Sequence, residues 1–164
     1  MEKFAQPMPK GSETVVAIAR HPLHPMLVTF PIAFLVGALC SDLAFVALAD
    51  PFWARASLWL IGAGTAMGML AGLTGTVELL IIARIRRRAA AWSHFVVAVM
   101  LLAVSSSNWL MRMPSPQDRI LPLGLALSLL TVALVVAAGW LGGKLVFEHH
   151  VGIKNSEQER DSAT

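Results

Sequence analysis

Long apolar runs alternate with short polar segments along this chain, and the runs set its architecture. Residues 26–49 carry one ionisable group besides a lone cysteine, Asp42. Residues 58–83 carry only Glu78, residues 89–111 only His94, and residues 120–143 none. Each run matches the roughly 20 residues that a helix needs to cross about 30 Å of hydrocarbon. The pattern predicts four spans, over about 26–49, 57–83, 90–111 and 120–147. The expected fold is an all-α integral membrane four-helix bundle, up-down-up-down. Residues 21–153 form its single transmembrane domain, preceded by a flexible cytoplasmic segment, 1–20, and followed by a disordered cytoplasmic tail, 154–164, which is charged and polar.

Composition supports the same reading. With 56% hydrophobic and 14% charged residues, the chain is too apolar for an ordinary soluble domain, which must cover its core with charge. No short apolar core with a small-residue cleavage site precedes the first run, so that run itself targets the chain to the membrane. The net charge of +3 comes mainly from Arg84, Arg86, Arg87 and Arg88, between spans two and three. A basic run can signal nucleic acid, but one this short, flanked by membrane helices, reads as positive-inside topology. Nucleic acid is therefore not an expected partner, and the bilayer is. The arginine loop and both termini fall on the cytoplasmic side of an inner membrane, and the short loops near residues 50 and 114–119 face outward. Trp53, Trp59 and Trp109 mark the outer interface, and Trp92 and Trp140 the inner one.

Details within the spans narrow the possibilities. Pro25 suits a first helical turn, whereas Pro31 implies either a kinked first helix or a helix that begins near it, with an irregular histidine segment docked alongside. Gly64, Gly68, Gly72 and Gly75 share one face of helix two, and Glu78 continues it. Such a stripe lets another backbone approach closely, within the bundle or in a homo-oligomer, and it could also make room for a flat cofactor. His24 and His94 are 70 residues apart, as are Glu78 and Glu148. Two parallel hairpins related by an axis along the membrane normal would produce this echo.

The candidate chemistry lies in the histidines. Positions 21–34 read HPLHPMLVTFPIAF, which puts His21 and His24 at the mouth of the first span. Given the topology, His21, His24, Glu78, His94 and His149 collect at the cytoplasmic face, with His150 beside them. Imidazole titrates near neutrality and binds metals, and ionisable groups in spans are seldom without a use. Three readings compete. A b-type haem would be clamped by two histidines, His94 with His24 or His149 and with His21 nearby, while Arg84 and Arg87 pair with the propionates. No C-x-x-C-H attachment motif is present, which excludes a c-type haem. A divalent metal ion would use His24, His94, His149 and Glu78. The third reading is structural, with His94 and Glu78 hydrogen-bonded between helices two and three. Asp42 lies 18 residues beyond His24, on the same face and about level with Asn108. The expectation there is a hydrogen bond to Asn108 or to a serine hydroxyl, with proton handling as the alternative. No phosphate-binding loop or nucleophile elbow suggests turnover.

The HPLHPMLVTFPIAF stretch, Asp42, the glycine-rich second helix, His94 and the ending GGKLVFEHHVGI together resemble the bacterial four-span membrane family known as domain of unknown function 2231. The likeness covers residues 20–153. In that family the ending usually reads His-Gly, so His149 matches the family histidine and His150 stands in place of glycine. The family's acid near the end of helix two corresponds to Glu78. The resemblance implies the architecture above and no established activity. An association of such domains with Rieske or cytochrome modules favours electron transfer. The expected function is thus haem b binding in membrane electron transfer, with a quinone or a redox protein as partner. The alternatives are a divalent metal-binding protein or a scaffold subunit.

Overall fold

The computed structural model describes residues 17–18 and 21–147, with side chains over 23–146. The expected N-terminal lead, the C-terminal tail, Glu148, His149, His150 and the side chain of His21 lie outside this set. A two-residue antiparallel pairing, β1 (Ala17–Ile18) with β2 (His21–Pro22), precedes the first helix. The chain then forms α1 (Leu23–Leu27), α2 (Thr29–Leu48), α3 (Pro51–Ile81), α4 (Ala83–Arg86), α5 (Ala89–Arg112) and α6 (Leu125–Phe147). A kinked segment, Ile120–Gly124, extended at Leu121, leads into α6.

The two proline questions are answered in the first span. His24 sits in the one-turn helix α1, and Val28 separates α1 from α2 while the backbone bonds Val28 N–His24 O and Ile32 N–Val28 O carry the ladder across. Pro31 falls in the first turn of α2, where a backbone N–H has no intrahelical partner in any case. The main helix therefore begins near Pro31, as one alternative had it, but the histidine segment before it is a helical turn and not irregular.

The α2–α3 reversal takes only Ala49 and Asp50. Ala49 adopts a left-handed conformation, φ 53°, and the Asp50 carboxylate accepts a bond from Phe52 N at 2.8 Å. With Pro51 as the first helical residue, this cap starts α3 earlier than the hydrophobic run alone implies.

Four spans, Leu23–Leu48, Pro51–Ile81, Ala89–Arg112 and Ile120–Val146, are long and apolar enough to cross a membrane. Around the bundle α2 packs on α3, α3 on α5, α5 on α6, and α6 back on α2. The distribution of side chains inverts that of a soluble protein. Asp42, Ser57, Thr65, Ser105, Asn108, Arg112, Ser128 and Thr131 are buried, while Leu73, Trp59, Val136, Trp140 and many other large apolar residues are exposed. An apolar exterior of this extent needs hydrocarbon around it.

The glycine stripe of α3 is used within the chain. A methyl group at Gly64 would meet Leu35 at 2.9 Å, at Gly68 Leu102 at 2.8 Å, and at Gly75 the imidazole of His24 at 2.9 Å. The stripe thus serves close packing of α1, α2 and α5 on α3, rather than offering an open face to a second copy.

Candidate functional site

The bundle interior holds two polar layers. His94 is the sixth residue of α5 and Arg112 its last, so 18 residues and about 27 Å separate the layers. An apolar cluster of Leu35, Leu101 and Val135 occupies the helix positions between them.

In the first layer His24 and His94 meet. Their ring centroids are 6.2 Å apart, with the planes at 86°. His24 Nδ1–H donates to Ala71 O at 2.8 Å, and His94 Nδ1–H donates to Ala138 O at 3.0 Å. A carbonyl only accepts, so the proton sits on Nδ1 of each ring and the neutral imidazole keeps a lone pair at Nε2. Each ring also lies against a glycine one turn beyond its acceptor. The closest ring atom would be 2.9 Å from a methyl at Gly75 for His24, and 3.2 Å from one at Gly142 for His94. The two arrangements are equivalents. His24 and His94 differ by 70 positions, Ala71 and Ala138 by 67, and Gly75 and Gly142 by 67. Hairpin α2–α3 and hairpin α5–α6 therefore present the same histidine, carbonyl and glycine to the same place.

Glu78 is buried on α3, but the Nδ1 bond of His94 runs to α6, not to Glu78, because Ala138 faces the ring directly. Through Nδ1, His94 thus joins the third span to the fourth. Among the described residues, no group of three or more His, Cys, Asp or Glu side chains is placed to hold a metal ion. Arg84 and Arg87 line an open recess with Ala83 and Arg88, and neither histidine lines it. Apolar Leu79, Ile82, Ala91 and Leu145 occupy the helix positions in between.

The second layer is an ion pair that the sequence reading missed. The expected serine hydroxyl bonds to Asp42 are present, but from Ser57 and Ser128, while Ser41 donates to Gly37 O and Asn108 does not bond the carboxylate directly. The Asp42 carboxylate receives Arg112 in a fork, from Nη1 at 2.6 Å and from Nη2 at 2.8 Å. Ser57 and Ser128 brace the fork on either side. Ser57 accepts from Nη1 and donates to Oδ1, and Ser128 accepts from Nη2 and donates to Oδ2. Arg112 Nε donates to Asn108 Oδ1, and Asn108 Nδ2 donates to Ser128. All five guanidinium donors and the four acceptor positions of the carboxylate are thereby filled. A cluster so completely satisfied leaves no valence for a passing proton or ligand, so it is a structural clasp. One signal could have found it. Arg112 follows His94 by 18 residues, as Asp42 follows His24, so the repeat places opposite charges at equivalent points of the two hairpins.

Set against known proteins, residues 20–155 match the profile of a family described as "Predicted membrane protein (DUF2231)". No curated protein and no solved structure matches the chain.

Proposed function

The chain belongs to the DUF2231 family of predicted membrane proteins, and on that premise we propose that His24 and His94 would hold a b-type haem that carries electrons within the membrane. The observation that carries this reading is the matched pair of imidazoles, each oriented by an Nδ1–H bond to a backbone carbonyl. Histidines that bind metals characteristically donate their other nitrogen in this way, which fixes the tautomer and raises ligand basicity. The two rings are also near enough, 6.2 Å between centroids, for one group to take both as ligands. The donor number favours haem over a bare divalent ion. A structural zinc site takes four protein ligands, whereas a haem brings its own four nitrogens and asks the protein for two. Haem would supply one-electron chemistry, with a quinone or a redox protein as the natural partner. Within the chain, the carbonyls of Ala71 and Ala138 would keep the two rings in register for it.

The same hydrogen bonds favour a second reading, in which the histidines only tether each hairpin. The visible spectrum of detergent-purified protein after haem-supplemented expression separates the two. A Soret band that is lost in both His24→Ala and His94→Ala is the expected result. If wild-type protein shows no band and His94→Ala lowers only the thermal midpoint, the tether is the whole of the role.

A further inference from the structure

Between α3 and α5 the backbone is extended at Ile82, makes the single turn α4, and restarts as a helix at Ala89. This break walls an open recess of about 490 Å³ lined by Ala83, Arg84, Arg87 and Arg88. Arg86, the fourth arginine of the loop, does not line it and donates from Nη1 to Leu80 O at 2.8 Å. Topology alone asks only for positive charge at this end; a concavity lined by three arginines is a more specific feature. Its surroundings place it at the boundary between hydrocarbon and water. Trp92, half-exposed, donates its indole N–H to Arg86 O at 2.8 Å, and such amphipathic rings settle at headgroup level. On the same two spans Leu80, Ile81 and Val96 are exposed, which gives an apolar track leading away from the recess.

We propose that this recess binds the phosphate of an anionic phospholipid, with the acyl chains lying along the exposed apolar residues of α3 and α5. Arginine suits the task because its planar fork matches phosphate oxygens two at a time, which lysine does not do. Basic pockets between membrane helices are a recurrent means of holding such headgroups. Neither histidine lines the recess, so the site stands apart from the haem reading.

The test is thermal unfolding of the detergent-solubilised chain with added phosphatidylglycerol, phosphatidylcholine or inorganic phosphate, paired with native mass spectrometry of the wild type in a mixture of the two lipids. Arg84→Lys, Arg87→Lys and Arg88→Lys are combined in one variant, which keeps the charge that orients the chain in the membrane. The expected result is a rise in the wild-type midpoint with phosphatidylglycerol alone, preferential retention of that lipid in the spectrometer, and about tenfold weaker apparent affinity in the variant. Equal effects of the two lipids, or full retention of affinity by the lysine variant, would reduce the recess to diffuse surface charge and overturn the proposal. A shift reproduced in full by inorganic phosphate would overturn the lipid as ligand.

Discussion

At the scale of single residues, the Asp42–Arg112 pair is the one whose disruption is costly, because both side chains are fully buried. Two charges out of water are tolerable only when geometry and extra hydrogen bonds are both good, and removing one partner costs about 3–5 kcal/mol. Asp42→Asn should lower the unfolding free energy in detergent by about that amount. The exchanged double variant, Asp42→Arg with Arg112→Asp, should recover most of the loss, since the repeat places the two positions equivalently. A loss in Asp42→Asn below about 1 kcal/mol, the worth of an ordinary hydrogen bond, would rule out the clasp as a major support. Asp42 was legible as a residue in need of a partner. Arg112 was not, because an arginine at the end of a span reads as an interfacial flank until the chain is folded.

At the scale of elements, the glycines of the second helix of each hairpin divide into those that touch something and those that do not. Gly75→Ala would press a methyl against the His24 ring at 2.9 Å, moving the imidazole off its bond to Ala71. We expect a weakened Soret band together with a lower midpoint. Gly139 meets nothing within 4 Å, so Gly139→Ala should leave the spectrum unchanged and be neutral or stabilising by up to about 1 kcal/mol. Equal effects of the two substitutions would mean that the contact with His24 is unimportant. The stripe itself was visible from its spacing of four, four and three. What fills it was not, because spacing specifies a face of a helix and says nothing about its neighbour.

At the scale of the whole molecule, the bundle is polar within and apolar without, which gives Cys40 diagnostic value. It is exposed on α2 in the middle of a span, so in intact membranes it should resist an impermeant maleimide and react only slowly with a permeant one, because the thiolate that attacks does not form in hydrocarbon. Labelling by both at the rate of a free thiol in water would contradict the membrane placement. The number of spans, their approximate limits and the meeting of two histidines at one end followed from the sequence, because hydrocarbon demands about 20 uncharged residues per crossing and the histidines lie near corresponding ends of alternate spans. The ends of α3, the passage past Pro31, the carbonyl partners of both imidazoles and the pairing of Asp42 with Arg112 were decided only by the tertiary structure. The carbonyl and ion-pair partners depend on contacts between residues 44 to 70 positions apart, the start of α3 on the cap that a two-residue turn permits, and the passage past Pro31 on backbone bonds across Val28, and an apolar pattern that is nearly uniform around each helix does not specify which faces meet.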